Sequence, residues 1–150
     1  MKALKILGRV LTVLLAVAAI AMMIFTIIAV RTFDRNDRAL FGYKAYIVRS
    51  DSMSATDFRS GDLVLVKDVD SATLREGDII AFTSQDPNSF GETFTHKIRR
   101  IIVDDTGARS YVTYGTTTDA DDPVPTSDAY ILGKYQRAIP KVGAFFTFLK

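Results

Sequence analysis

The chain has 150 residues, of which 48% are apolar, and it contains one histidine, no cysteine and no tryptophan. The absence of cysteine excludes disulfides, thiol nucleophiles, cysteine-bearing zinc sites and iron–sulfur clusters. A single imidazole is too little for a histidine-rich metal site, so we expect no metal and no cofactor. The net charge of +2 is uneven, because residues 1–10 carry +3, residues 31–38 carry +1 and the remainder carries −2. No basic face is left to favour nucleic acid as a partner.

Residues 11–30 form an almost uninterrupted apolar run, with 18 apolar residues of 20 and no charge. As a helix rising about 1.5 Å per residue, this run would cross the roughly 30 Å hydrocarbon core of a bilayer. Lys2, Lys5 and Arg9 precede it without an acidic residue, which favours a cytoplasmic N-terminus and an extracytoplasmic remainder. A cleaved signal peptide is the alternative, but the small-x-small triplet at 16–18 lies inside the apolar run. We therefore predict a single-pass protein of the cell membrane with an uncleaved anchor.

The sequence after the apolar run predicts a mostly β domain. Short β-prone runs are separated by Gly, Asp, Asn and Pro, and no helical period long enough for a globular helix follows residue 30. The predicted strands cover residues 45–48, 62–67, 78–83, 93–103, 110–114 and 130–138. The predicted domains are a cytoplasmic stub at 1–10, the anchor at 11–30, a juxtamembrane linker at 31–43 and a folded domain at 44–150. The Phe-rich segment 145–150 either begins a second membrane segment or packs in the core.

Two predicted strands begin with the same Gly-Asp pair, at Gly61-Asp62 and at Gly77-Asp78. Gly takes a positive φ readily and Asp hydrogen-bonds the local backbone, so each pair can turn the chain into an apolar strand. The segment 104–107, Asp-Asp-Thr-Gly, lies between two β-prone runs and predicts a hairpin turn.

A loop rich in hydroxyl groups follows the first predicted strand and holds Ser50, Ser52, Ser54 and Thr56 around Met53. Such a loop is most often a solvated turn. A serine becomes a nucleophile where a base takes its proton and donors await the oxyanion. A nucleophile in this loop therefore depends on a base elsewhere in the chain, which offers one imidazole.

That imidazole, His96, lies in the predicted strand 93–103. Strand alternation places five side chains on one face, namely Phe94, His96, Ile98, Arg100 and Ile102. Lys97 then points to the opposite face. An imidazole flanked by Phe94 and Ile98 would be partly desolvated, which favours the neutral form that a general base needs. The alternative is a surface histidine without a role.

An acidic loop after Tyr114 carries Asp119, Asp121 and Asp122 ahead of two prolines. A carboxylate that fixes the tautomer of a histidine is the third member of an acyl-transfer triad. The alternatives are a solvated acidic turn and a calcium loop, but the loop lacks the Gly and the distal Glu of an EF-hand.

Taken in order, these features resemble the signal peptidase I family, in its ER-type branch found also in archaea and Gram-positive bacteria, where a histidine replaces the lysine base. The resemblance covers residues 11–150 and rests on the anchor, the Ser-Met loop, GDLVLV, GDIIAF, the Thr-His strand, the Asp-Asp-Pro loop and ILGKYQRAIPKVG. It implies a signal-peptidase-like β catalytic domain behind one transmembrane helix. The implied activity is that of a serine endopeptidase that removes signal peptides from exported preproteins, cutting after small residues at −1 and −3. The implied partners are these preproteins and the lipid bilayer.

Matched position by position, the resemblance implies Ser52 as the nucleophile, His96 as the general base and Asp122 as the carboxylate that orients it. Ser50 and the backbone N–H of Ser52 are the implied oxyanion hole. Asp51 stands where the family usually has Gly, which predicts a positive φ at this residue.

Two further positions depart from the family pattern. Ala55 stands where Pro is usual, and the Gly-Asp-Asn-Asn box has Thr116 where its acidic residue is expected. Asp122 therefore remains the first candidate for the carboxylate, with Asp121 and Asp119 as secondary candidates. Two other classes stay open: a Ser/Lys self-cleaving protease of the same fold, and a non-catalytic β domain that binds an extracytoplasmic partner.

Overall fold

The computed structural model describes residues 2–32 and 42–142, with side chains described from 6 to 24 within the helix and throughout 42–142. The chain divides into two units, Met1–Arg38 and Ala39–Lys150. Most of the linker predicted at 31–43 lies outside the described residues. The segment predicted at 145–150 also lies outside them.

The described part of the N-terminal unit is one helix, α1 (Lys2–Thr32), of 31 residues. Its sequence is rich in Ala, Leu and Ile and has no proline, so nothing interrupts the backbone hydrogen bonds. Within it, the 19 residues Ile6–Ile24 are long and apolar enough to cross a membrane, since they extend about 28 Å. The predicted apolar helix is confirmed. The helix also continues through most of the predicted stub, because Lys, Ala, Leu and Arg favour helix.

The second unit is an antiparallel sheet. Its described strands are β1 (Tyr43–Ile47), β2 (Leu63–Lys67), β3 (Ile79–Thr83), β4 (Thr93–Val103), β5 (Arg109–Tyr114), β6 (Thr126–Ser127) and β7 (Ile131–Ile139). They pair in the order β1-β2-β7-β3-β4-β5-β6, so the last strand inserts between β2 and β3. The mostly β class is confirmed, and the six predicted strands agree with the six longer observed strands to within two residues at each end.

The Gly-Asp pairs turn the chain as the sequence predicts. Gly61 and Gly77 have φ of +89° and +87°. In each pair the carboxylate, of Asp62 or of Asp78, accepts a hydrogen bond from the backbone N–H three residues earlier, at 2.9 and 3.0 Å. The hairpin predicted at 104–107 is also present, because the turn there joins the antiparallel strands β4 and β5.

The predicted face assignment along β4 is correct only as far as Ile98. The register between β4 and β5 shifts between Ile98 and Arg100, as at a β-bulge. Beyond this point Ile101 packs against the core and Ile102 is 42% exposed. The prediction that Arg100 and Ile102 share the face of His96 is therefore wrong, because one additional residue reverses the alternation of side chains.

Buried apolar side chains form two clusters. The first comprises Leu74, Ile80, Phe82, Ile98 and Tyr111. The second comprises Met53, Phe58, Val64 and Ile79. Because Met53 and Phe58 come from the serine-rich loop, the second cluster fixes that loop to the sheet.

Candidate active site

The serine-rich loop between β1 and β2 has an anchored turn. Met53 and Phe58 are 1% and 3% exposed in the second cluster, and the carboxylate of Asp51 accepts a hydrogen bond from the N–H of Ser60 at 2.9 Å. Ser52 is half-buried and immediately precedes Met53. Burial of the methionine therefore fixes the backbone that carries the Ser52 hydroxyl.

The predicted positive φ at Asp51 is wrong. In the part of the chain that the structure describes, the non-glycine residues with positive φ are Asp119 and Lys141. The chain turns at Asp51 by a backbone hydrogen bond from the Ser54 N–H to the Asp51 carbonyl, at 3.0 Å. An ordinary right-handed turn of this kind needs no glycine.

His96 contacts two polar side chains through its two ring nitrogens. Nε2 is 2.9 Å from Ser52 Oγ, and Nδ1 is 2.8 Å from Asp122 Oδ2. Because an ionised carboxylate only accepts hydrogen bonds, Nδ1 carries the proton of the neutral ring, and Nε2 accepts the hydroxyl proton of Ser52. The three side chains that the sequence singled out thus form one hydrogen-bonded line.

Aromatic rings enclose the imidazole of His96, which is 8% exposed. The Phe94 ring stacks on it with centroids 5.6 Å apart and planes 14° apart. Phe82 approaches nearly edge-on, at 6.3 Å and 66°. These two rings orient the imidazole and exclude water from the surfaces that they cover.

The carboxylate of Asp122 is held by β5 as well as by the imidazole. Thr113 Oγ1 donates to Asp122 Oδ2 at 2.6 Å, and the Asp122 N–H donates to the Thr113 carbonyl at 2.7 Å. Thr113 was not predicted from the sequence. The signal for it was a hydroxyl in an otherwise apolar and aromatic part of β5.

The other two carboxylates of the acidic loop pair with arginines of β4. Arg99 lies 2.6 Å from Asp119 Oδ1 and also pairs with Asp121, while Arg100 lies 3.1 Å from Asp121 Oδ2. The hydrogen bond with Asp119 is the largest of the causes that raise the pKa of Arg99 above its ordinary value. Of the three candidate carboxylates, Asp122 is the one that hydrogen-bonds the imidazole.

The segment that follows β5 hydrogen-bonds the backbone around the candidate nucleophile. Ser50 Oγ lies 3.1 Å from Ser52 Oγ. The N–H of Thr117 donates to the Ser52 carbonyl at 2.9 Å, and Thr117 Oγ1 donates to the Asp51 carbonyl at 2.6 Å. The second bond fixes the peptide between Asp51 and Ser52, whose N–H is the implied oxyanion donor.

Gly115 packs directly on the candidate nucleophile. A Cβ at Gly115 would lie 2.9 Å from the Ser52 carbonyl oxygen and 3.1 Å from the Ser52 Cβ. In the sequence, the box that begins at Gly115 was singled out for the acidic residue missing at Thr116. The close approach of Gly115 to Ser52, which requires a glycine, was not predicted.

In residues 2–32 and 42–142, no group of three or more His, Asp and Glu side chains is arranged to hold a metal ion. Comparison of the chain with protein-family models and with curated proteins finds no match.

Proposed function

We propose that this protein is a membrane-anchored serine endopeptidase of the signal peptidase I type, which removes signal peptides from exported preproteins. The observation that carries the proposal is the hydrogen-bonded line from Ser52 Oγ through the buried imidazole of His96 to Asp122. A hydroxyl, a base with the correct tautomer and a carboxylate that orients the base are the parts that acyl transfer by serine requires.

In the proposed reaction, His96 Nε2 takes the hydroxyl proton of Ser52 while Oγ attacks the carbonyl carbon of the scissile bond. The negative charge on the carbonyl oxygen is stabilised by the N–H of Ser52 and the hydroxyl of Ser50. When the C–N bond breaks, His96 returns the proton to the leaving amine. Water then gives a proton to His96 and attacks the acyl-enzyme, which releases the new carboxylate and regenerates Ser52.

The position of β1 at the edge of the described sheet supports the proposal that the substrate binds as an extended strand. Within the described sheet β1 is the first strand and pairs with β2 on one side, and the chain passes from its end into the loop of Ser52. A peptide added along the other edge would run toward the nucleophile. The requirement for small residues at −1 and −3 comes from the family resemblance.

The apolar helix completes the proposal. A signal peptide is held in the bilayer, so a protease tethered to the same surface meets it at a raised effective concentration. In the proposed arrangement the basic N-terminus is cytoplasmic and the β domain is extracytoplasmic.

The proposal is tested by cleavage of a preprotein with the full chain in membranes. We expect the wild type to release the mature protein, and Ser52→Ala and His96→Ala each to reduce the rate at least about 1000-fold. Ser60→Ala is the matched control, because Ser60 is exposed in the same loop, and it should retain the wild-type rate.

Retained cleavage in Ser52→Ala or His96→Ala would reject the Ser/His mechanism. A wild type that cleaves no preprotein would favour a binding domain without catalysis. Activity restored by His96→Lys would favour a mechanism in which a lysine is the base. The native Lys97 is poorly placed to be that base, because it follows His96 in β4 and the alternation of side chains directs it to the other face.

A further inference from the structure

Thr113 lies deeper than any member of the proposed triad. Its exposure is 0%, against 8% for His96, and it occupies β5 opposite Ile98 of β4. Its hydroxyl donates to the same oxygen, Asp122 Oδ2, that meets His96 Nδ1, with distances of 2.6 and 2.8 Å. One carboxylate oxygen of Asp122 therefore accepts two hydrogen bonds, one from the Thr113 hydroxyl of β5 and one from the imidazole of His96.

The Thr113 hydroxyl is fully buried, and its hydrogen bond to Asp122 offsets the cost of burying it. Burial of a hydroxyl away from water costs free energy that only a hydrogen bond offsets. Valine has the same shape as threonine, favours strands equally well and would suit the neighbouring apolar side chains. The one feature that Thr113 adds to a valine is the donor that faces Asp122.

We infer that Thr113 is a positioning residue, which fixes the Asp122 carboxylate so that Oδ2 faces His96. The inference rests on the proposed function. Asp122 belongs to a loop, and its side chain is 22% exposed, so its rotamer is not determined by packing alone. Two hydrogen bonds, one from the Asp122 backbone N–H and one to its carboxylate, attach Asp122 to Thr113 of β5, a strand that is paired on both sides.

Asp121, the neighbour of Asp122, shows which partners a carboxylate of this loop binds when it does not face the imidazole. Asp121 pairs with Arg99 and Arg100 on β4. Without the Thr113 hydroxyl, the Asp122 carboxylate would be free to rotate its oxygens away from the imidazole toward water or these guanidinium groups. The base would then lose its fixed tautomer and orientation.

The experiment compares Thr113→Val with Thr113→Ser in the full chain in detergent micelles. Because the chain has one histidine, the Nδ1–H resonance of His96 can be observed by NMR without assignment. We expect a slowly exchanging Nδ1–H signal in the wild type and in Thr113→Ser, and a broadened or absent signal in Thr113→Val. Preprotein cleavage by Thr113→Val should show kcat lowered about 10- to 100-fold with KM unchanged within about twofold.

Thr126→Val is the matched control. Thr126 is buried at 1% exposure, and in the described part of the chain its hydroxyl has no hydrogen-bond partner. This variant should keep the wild-type signal and kcat. If Thr113→Val does not fold, Thr113→Ala, which also lacks the hydroxyl, is measured in its place.

A wild-type Nδ1–H signal and a wild-type kcat in a folded variant without the hydroxyl would overturn the inference. The proposed function fails separately, if the wild type itself cleaves no preprotein. The NMR comparison would still decide whether Thr113 positions the Asp122–His96 pair.

Discussion

At the scale of single residues, Asp122 and Asp121 are adjacent carboxylates with different partners. Asp122 accepts from the imidazole of His96, whereas Asp121 pairs with Arg99 and Arg100. Asn in place of Asp122 can present its amide N–H to Nδ1, which would leave the proton on Nε2 and remove the acceptor that the Ser52 hydroxyl needs.

We therefore expect Asp122→Asn to lower kcat by about 10⁴, as the equivalent change does in serine proteases with a Ser-His-Asp triad. Asp121→Asn is the control on the same loop and should lower kcat by less than about tenfold. The measurement is the rate of preprotein cleavage at saturating substrate. An equal loss in the two variants would show that the loop as a whole, and not the carboxylate at His96, determines the rate.

Only part of the candidate site could be predicted from residue types. One histidine in the chain made His96 the single possible imidazole base, whereas Ser52 and Asp122 were selected among the hydroxyls and carboxylates of their loops by the family resemblance. Thr113 and Thr117 act through contacts between segments that are distant in sequence, and threonine is common in strands and turns. Their roles depend on which segments meet, which residue type and spacing do not reveal.

At the scale of elements, the segment after β5 and the serine-rich loop meet at Gly115. Alanine there would place its Cβ 2.9 Å from the Ser52 carbonyl oxygen, so one of the two segments must move. We expect Gly115→Ala to lower the free energy of unfolding by about 1–3 kcal/mol and to reduce cleavage about 100-fold, because a displacement of about 1 Å is enough to disturb attack geometry.

Urea unfolding and preprotein cleavage measure the two effects. Gly8→Ala is a control for the substitution itself, since a Cβ at Gly8 meets nothing within 4 Å; it should retain full activity. Full activity in Gly115→Ala would contradict the close packing of Gly115 against Ser52.

Tyr111 connects β5 to both short 3-10 helices, Ser71–Thr73 and Asp128–Tyr130. Its hydroxyl lies 2.9 Å from the Ser71 carbonyl and 2.8 Å from Asp128 Oδ1. Burial, and next the hydrogen bond to the Asp128 carboxylate, raise the pKa of Tyr111 from 10.0 to about 12. As pH rises from 10 towards 12, the unfolded chain loses this proton while the folded chain keeps it, so the free energy of unfolding falls.

We expect the free energy of unfolding to fall by up to about 1.4 kcal/mol per pH unit in this range from Tyr111 alone. Tyr111→Phe should remove that part of the alkaline loss, although it lowers stability at neutral pH by about 1 kcal/mol. Urea midpoints measured between about pH 8 and pH 11 test this. Tyr43→Phe, at a residue 40% exposed, is the control and should leave the slope of the free energy of unfolding against pH unchanged. If Tyr111→Phe also left this slope unchanged, Tyr111 would not be a source of the alkaline loss.

Strands were predictable where local pattern determines them and not where pairing does. β4 was predicted at its observed bounds because eleven residues of β-prone sequence lie between clear turns. The bulge within it is set by its register with β5, so alternation read from β4 alone failed after Ile98. The insertion of β7 between β2 and β3 is a non-local pairing, which no local signal specifies.

At the scale of the whole molecule, the orientation across the membrane that we propose depends on charge. The apolar segment Ile6–Ile24 is preceded by Lys2 and Lys5 and has Arg9 in its first turn. Cations beside a membrane-spanning segment are retained on the cytoplasmic side. The proposed function requires that orientation, because signal peptides are cut on the outer face. The absence of cysteine makes the prediction directly testable.

We expect a single cysteine at Asp105→Cys, on the exposed β4–β5 turn, to react with a membrane-impermeant maleimide in intact cells. A cysteine at Ala3→Cys, which leaves all three N-terminal cations in place, should react only after the membrane is permeabilised. The cysteine-free wild type measures background labelling. Labelling of Ala3→Cys but not of Asp105→Cys in intact cells would place the β domain in the cytoplasm, where the proposed substrate is not processed, and would reject the proposed function even if Ser52, His96 and Asp122 form an active triad.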